Sequence, residues 1–174
     1  EKVDTVTVME NICHFLDEEV QFQFEKYKDQ FSNKEISDII ENEIDLARML
    51  KRACKDFDGG YTIAGLVGHG DAFVVRDPWG IRPAHYYFDD EIVVVASERA
   101  VIQTVMDIGV DEVKEISPGE ALIIKKDGKI SNEMIRVPHK KTSCSFERIY
   151  FSRGSDAEIS LGAKKGHTWV QLKE

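Results

Sequence analysis

The sequence predicts an α+β domain, and three observations carry the prediction. Apolar residues recur at helical spacing through the first third of the chain. After Gly60 the pattern changes to short β-rich runs punctuated by glycine, proline and aspartate. Those runs do not alternate with helices as a parallel sheet demands, so the strands are expected to pair antiparallel.

Length and charge narrow the function. With 174 residues the chain can build one domain with a real core, and not two large ones. Its net charge of −9 argues against nucleic acid, whose phosphates draw on clustered Lys and Arg; basic clusters such as Lys125-Lys126 and Lys140-Lys141 are short. Cys13, Cys54 and Cys144 are an odd number without C-x-x-C spacing, so neither a disulfide framework nor a zinc knuckle is expected, and each thiol reads as buried and inert. His14, His69, His85, His139 and His167 lack metal-ligand spacing. No apolar run reaches membrane-spanning length, and no basic-then-apolar signal opens the chain. A soluble, cytoplasmic protein without membrane contact is the expectation.

Taken in order, Asp4 stands at an N-cap position before Val6, Met9, Cys13 and Leu16, which predict a short half-buried helix. After the acidic run Asp17-Glu18-Glu19, Val20, Phe24, Tyr27 and Phe31 predict a second helix with an aromatic inner face. Ser32-Asn33-Lys34-Glu35 matches a capping box, in which the Ser and Glu side chains satisfy free backbone donors, and Ile36, Ile39 and Ile40 continue from it. Leu46, Met49, Leu50 and Ala53 mark one more helix. Beyond Gly60, residues 61–67 and 72–75 flank the turn Gly68-His69-Gly70-Asp71 and read as a hairpin. Residues 84–88 and 91–96 follow as strands about Asp89-Asp90, and Ser97 caps a helix over 98–106. Residues 110–116, 121–125 and 129–137 complete the strands, the last two joined at Asp127-Gly128. Residues 146–151 are a last apolar run, and 160–174 have little periodicity.

Several familiar chemistries fail on context. Gly65, Gly68 and Gly70 have the wrong spacing for a dinucleotide loop, and a strand follows where a helix must open. Ser97 lacks the flanking glycines of a nucleophile elbow. Attention falls instead on Arg76-Asp77-Pro78-Trp79-Gly80-Ile81-Arg82-Pro83, where Pro78 and Gly80 suit the second and fourth places of a type I turn. Two readings stay open. One is a structural corner in which Arg76, Asp77, Arg82 and Glu98 form a buried or half-buried charge network. The other is a site in which one arginine recognises an anionic ligand through its planar donor fork.

DGGYTIAGLVGHGDAFVVRDPWGIRP, then VASERAVIQ, ISPGEALII and CSFERIYFSR, fall in the order and rough spacing of the glutaminase domain of the amidophosphoribosyltransferase family, which residues 4–153 resemble. The RDPxGIRP and SE elements alone resemble the wider class of glutamine amidotransferases with an N-terminal cysteine nucleophile, asparagine synthetases among them. CSFERIYFSR is the discriminating piece. The resemblance implies a partial four-layer αββα sandwich of the N-terminal nucleophile hydrolase type, with the C-terminal portion of a glutaminase domain over 1–153 and a divergent, poorly ordered tail over 154–174. It also implies an enzyme that hydrolyses the glutamine side-chain amide and passes the nitrogen to phosphoribosylpyrophosphate, giving phosphoribosylamine for purine synthesis. In the family an N-terminal Cys attacks the amide, its own α-amine serves as base, and Asn and Gly donors stabilise the oxyanion. Neither these residues nor the phosphoribosylpyrophosphate-binding loop is found here, so the chain alone is expected to be an inactive fragment without a catalytic residue of its own.

One site residue carries over by resemblance. Asp4 matches the family's Asp that holds the α-ammonium of glutamine, while Val6 departs from the family's usual Glu; a plain helix cap is the other reading of Asp4. Mg2+ is implied for the parent enzyme together with phosphoribosylpyrophosphate, and no cofactor or metal for this stretch. A cysteine placed like Cys144 ligates an iron–sulfur cluster in some family members, but the other ligands would lie outside this sequence. Implied partners are glutamine, the N-terminal segment, the phosphoribosyltransferase domain, and further copies of the chain in a homo-oligomer, since a sandwich without its first strands has unpaired edges and bare apolar surface. The alternatives are a glutaminase fragment of the asparagine synthetase kind and a non-catalytic binding module of the same fold.

Overall fold

A computed structural model describes residues 3–142 and 144–146 of the chain. In order it contains α1 (Asp4–Tyr27), α2 (Asn33–Glu43), α3 (Leu46–Ala53), β1 (Thr62–Leu66), β2 (Ala72–Arg76), β3 (His85–Phe88), β4 (Val93–Ala96), α4 (Arg99–Met106), a 3-10 turn at Val110–Glu112, β5 (Lys114–Glu115), β6 (Glu120–Ile124) and β7 (Ile130–Met134). Helices beside antiparallel sheets make it α+β, as expected. The chain divides into two compact units: the described residues up to Asp58, with Ala64–Val75 and Glu120–Val137, form the first, and Gly59–Ile63, Arg76–Gly119 and the described residues from Pro138 form the second. The apolar run after Phe146 and the tail expected over 154–174 lie outside the described residues. No helix among the described residues is long and apolar enough to cross a membrane.

In the first unit the sheet order is β1-β2-β6-β7. β2 runs antiparallel to β6, with Ala72 opposite Ile124 and Val75 opposite Ala121, and β6 runs antiparallel to β7, with Glu120 opposite Met134. The Asp127-Gly128 turn forms where it was expected, Gly128 N–H donating to Lys125 O at 2.9 Å. α3 packs on β6. Leu46, Met49, Leu50 and Ala53 are buried, as are Ala121, Leu122 and Ile123 of β6, so the apolar period of α3 predicted its inner face correctly. Asp45 caps α3 by accepting Arg48 N–H at 2.9 Å. The capping box also forms, the Glu35 carboxylate accepting from Ser32 N–H at 2.9 Å and from its hydroxyl at 2.7 Å.

The first two predicted helices are one. No glycine or proline interrupts Asp4–Tyr27, and Asp17-Glu18-Glu19 are tolerated in a helix rather than breaking it. Asp4 is the first helical residue and Val3 the N-cap, so Asp4 favours the helix through the dipole and not as a cap. The expected inner face is also reversed. α1 meets α3 through Asn11, whose Nδ2 donates to Ala53 O at 2.7 Å, and through Glu19 and Glu18, which pair with Arg48 and Arg52. The same arginines lie over the rings of Phe22 and Phe15. Val6, Met9, Cys13, Val20 and Phe31 are exposed, and Leu16, Phe24 and Tyr27 are half-buried. Ion pairs and arginine–ring contacts therefore set the rotation of this helix, overriding its apolar period.

A buried carboxylate ties the β1–β2 turn to the rest of this unit. Asp71 has no exposed surface; it pairs with Lys125, accepts Lys126 N–H at 2.8 Å, and its Oδ2 lies 2.9 Å from His69 Nε2. Burial alone would raise its pKa, but the Lys125, His69 and Lys126 hydrogen bonds outweigh burial and hold the carboxyl below the usual aspartate value. A depressed folded-state pKa contributes stability that is complete above the unfolded value and lost as pH falls through the folded one. Asp71→Asn is therefore expected to lower unfolding free energy at neutral pH by about 3 kcal/mol. In urea titrations the wild type should lose more stability than the variant on going from neutral to strongly acidic pH.

In the second unit the sheet order is β4-β3-β5, with His85 of β3 opposite both Ala96 and Glu115 in antiparallel register. α4 packs on β3 and β4. Ala84, Tyr86, Ile102, Val113 and Ile116 are buried. Glu98, not Ser97, is the N-cap of α4, and Asp107 ends the helix in the left-handed conformation at φ 53°. The strand expected over 110–116 is only the two residues of β5, because the 3-10 turn takes up its beginning.

Candidate functional site

The Arg76–Pro83 corner begins as a turn, and its two buried charges are spent largely on backbone. Gly80 N–H donates to Asp77 O at 3.1 Å, which closes the turn the sequence predicted. The Asp77 carboxylate, fully buried, accepts the N–H groups of Trp79 and Ile81 at 3.0 Å each and of Arg82 at 3.1 Å. Arg76 is 2% exposed. Its Nε donates to Arg82 O at 2.7 Å, Nη2 to Gly80 O at 3.2 Å, and Nη1 to Ile116 O and, at 2.7 Å, to Glu115. Gly80 sits at φ +62°, and a Cβ there would stand 2.9 Å from Pro118 Cγ, so both conformation and space require glycine.

Within the expected network of Arg76, Asp77, Arg82 and Glu98, the partners of Arg76 and Asp77 are other than each other. Arg76 pairs with Glu115, a residue the sequence reading missed, and Asp77 serves backbone amides. The missed partner lies 39 residues downstream, and nothing in Lys114-Glu115-Ile116 marks it out. The same Glu115 oxygen also accepts from Lys141 Nζ at 2.7 Å. Burial would raise the Glu115 pKa, but the Lys141 and Arg76 hydrogen bonds and charges outweigh burial and hold it below the usual glutamate value. His139 N–H donates to Pro78 O and Thr142 N–H to Trp79 O, each at 2.8 Å, and the His139 ring stacks on Trp79 with centroids 4.8 Å apart. Residues 138–142 are therefore strapped across the corner.

Arg82 has a different fate from Arg76. Its backbone is clamped on both sides, N–H by Asp77 and carbonyl by Arg76, while the residue itself is exposed. It lines a cleft of about 470 Å³ with Gly60, Tyr61, Thr62, Pro83, Ser97 and Glu98. Thr62 Oγ1 donates to Pro83 O at 3.3 Å, and Gly60 fits because a Cβ there would stand 2.6 Å from Ile81 Cγ2. The residues around the cleft include an arginine, a glutamate, a tyrosine, a threonine and a serine. Asp4 and the cysteines are not among its lining residues.

The thiols match the expectation of burial at Cys54 and depart from it at Cys13 and Cys144. Cys54 is buried, and burial pushes its pKa up to about 12, so it is inert. Cys13 is exposed on α1 and Cys144 is half-buried. Among the described residues no group of His, Cys, Asp and Glu is placed to hold a metal.

No protein-family model matches the chain. Two curated relatives, both called amidophosphoribosyltransferase, come from Methanothermobacter thermautotrophicus, 33% identical over 105 residues, and Pasteurella multocida, 31% identical over 137 residues. These matches take in 60% and 75% of this chain, but 21% and 26% of the relatives' own length. The chain thus spans about a quarter of the relatives it matches. A solved glutamine phosphoribosylpyrophosphate amidotransferase from B. subtilis, in complex with ADP and GMP, aligns with a TM-score of 0.54 and 25% identity, covering 82% of this chain and 31% of that one. A structure described as the allosteric regulatory enzyme of purine biosynthesis aligns with the same TM-score at 26% identity, covering 79% and 30%.

The two arginines of the corner are expected to respond differently to truncation. Arg76→Ala takes the guanidinium from three carbonyls and leaves Glu115 to Lys141 alone, and should lower unfolding free energy by about 3–5 kcal/mol. Arg82→Ala removes an exposed side chain and should cost less than about 1 kcal/mol. Urea denaturation of both variants measures the difference.

Proposed function

The chain is part of an amidophosphoribosyltransferase, with the α+β fold of an N-terminal nucleophile hydrolase, and from that premise we propose that it serves the glutamine-handling half of such an enzyme. The reaction couples two steps. Glutamine and water give glutamate and ammonia, and ammonia then displaces pyrophosphate from phosphoribosylpyrophosphate to give phosphoribosylamine for purine synthesis. The observation that carries this reading is the agreement of sequence and structure on one enzyme over most of the chain, at 31% identity across 75% of it and at a TM-score of 0.54 across 82%.

Within that reading the corner is scaffold. Arg76, Asp77, Pro78 and Gly80 fix the backbone from which β3 starts, and the amide chemistry belongs to a nucleophile elsewhere in the enzyme. Asp4, an exposed carboxylate on the first turn of α1, is the residue we assign to the α-ammonium of glutamine. Magnesium would enter with phosphoribosylpyrophosphate, as the counter-ion of that substrate, and the phosphoribosyl half-reaction belongs to a separate domain of the enzyme. The cytosol is the compartment this reading implies.

Two measurements test it. The 174-residue chain alone should release no ammonia from glutamine, since Cys54 is inert and Cys13 lies within a helix; measurable release would overturn the assignment of the nucleophile elsewhere. In a full-length enzyme carrying this stretch, Asp4→Asn should raise the KM for glutamine roughly 10- to 100-fold, the loss of one charge-assisted hydrogen bond. Phosphoribosylamine formation from added ammonia should be unchanged by it. Equal losses with both nitrogen sources would remove Asp4 from the glutamine site.

A further inference from the structure

We propose that Asn11 is a positioning residue of the glutamine site, which by bonding the end of α3 sets where α1 holds the Asp4 carboxylate. The inference rests on the assignment of Asp4 to the α-ammonium of glutamine, and adds to it the residue on which that contact depends.

α1 and α3 run antiparallel. Asn11 meets Ala53, the last residue of α3, while Glu18 and Glu19, further along α1, meet Arg52 and Arg48, further back along α3. From Asn11 towards Asp4, α1 therefore leaves the end of α3 behind. Residues 3–7 are exposed accordingly. Asp4 stands seven residues before Asn11, about 10 Å along the axis and within about 20° of the same side of the helix. The residue is carried on an overhang, so a small tilt of α1 against α3 displaces it more than any residue between the two helices.

Of the contacts described between the two helices, the Asn11 bond lies nearest this overhang, and it is the least forgiving of them. Asn11 Nδ2 donates to Ala53 O at 2.7 Å, from a short side chain to a main-chain atom. The acceptor is a fixed point, because Ala53 is 1% exposed and Leu46, Met49 and Leu50 of the same helix are buried. The ion pairs to Glu18 and Glu19 and the contacts with the rings of Phe15 and Phe22 all come from arginines, whose long, flexible stems can follow a shifting helix. Ala53 also needs the bond. The last carbonyls of a helix have no partner within it, and a buried one left without a donor costs stability. The bond therefore holds α1 in rotation and in axial position at the base of the overhang, two turns from Asp4 and on its side of the helix.

Steady-state kinetics of a full-length enzyme carrying this stretch tests the role. Asn11→Asp keeps the shape of the side chain but puts an acceptor where the donor was, and Asn11→Leu keeps its size with neither. Each should raise the KM for glutamine about 3- to 10-fold with kcat held within about twofold, the mark of a contact weakened and not lost. Rates with added ammonia report folded enzyme, since misfolding lowers both activities together. Gln21→Ala, which removes an exposed hydrogen bond to Glu25 on the same helix, should leave the KM unchanged. The decisive comparison is the double variant. With Asp4→Asn in place, adding Asn11→Asp should raise the KM no further, because a carboxylate that is absent cannot be misplaced. Fold-changes that multiply, or Asn11 variants with wild-type KM beside an impaired Asp4→Asn, would overturn the inference and leave the assignment of Asp4 standing. Equal losses with glutamine and with ammonia would make Asn11 a packing residue and overturn it too. An Asp4→Asn enzyme with wild-type KM would overturn that assignment, and this inference with it.

Discussion

The Asp77 carboxylate draws three backbone N–H groups inward, and the Arg76 guanidinium beside it collects three backbone carbonyls and a carboxylate. Buried charges are tolerated only when their hydrogen-bonding capacity is met, and an irregular corner is rich in backbone groups that no ladder satisfies. Here each need answers the other. Neighbouring charges of opposite sign might be expected to neutralise each other directly, yet spending them on backbone holds eight residues in one shape. β3 leaves this corner, β5 is secured to it through Glu115 and Ile116, and residues 138–142 are laid over it.

This division of labour explains why a recognisable motif says so little about reactivity. Arg76 and Arg82 look alike in the sequence, and each has the donor fork that reads anions. The fold consumes one in its own architecture and holds the backbone of the other from both sides, leaving that side chain at the mouth of a cleft. A motif that builds a scaffold persists wherever the scaffold is needed, whatever chemistry is mounted on it. That is why the corner, together with three shorter runs, labels an enzyme family without containing its nucleophile.

What could be read from the sequence was what local rules decide. The Ser32–Glu35 capping box, the Asp127-Gly128 hairpin and the Asp77–Gly80 turn each depend on residues within a few positions, and each formed as expected. The face of α1 depends on Arg48 and Arg52, 29 and 34 residues from the glutamates they meet, and an apolar period carries no information about them. The same applies to Glu115. A carboxylate in a β-rich run has no local signature announcing that it will close a distant guanidinium. The inert Cys54 follows the rule that free cysteines are buried, whereas Cys13 breaks it because α1 turns its apolar side outward.

The strap at 138–142 has a mechanical consequence. Two hydrogen bonds of 2.8 Å, to the carbonyls of Pro78 and Trp79, act in parallel with the Trp79–His139 stack and the Lys141–Glu115 pair. Tension applied to the chain beyond Thr142 is therefore shared among several bonds, most of them to the corner and one to Glu115 of β5. Because Glu115 also grips Arg76, the load ends on a guanidinium anchored at four points. The corner thus acts as a strain relief, spreading over several anchors whatever pulls on the chain that follows.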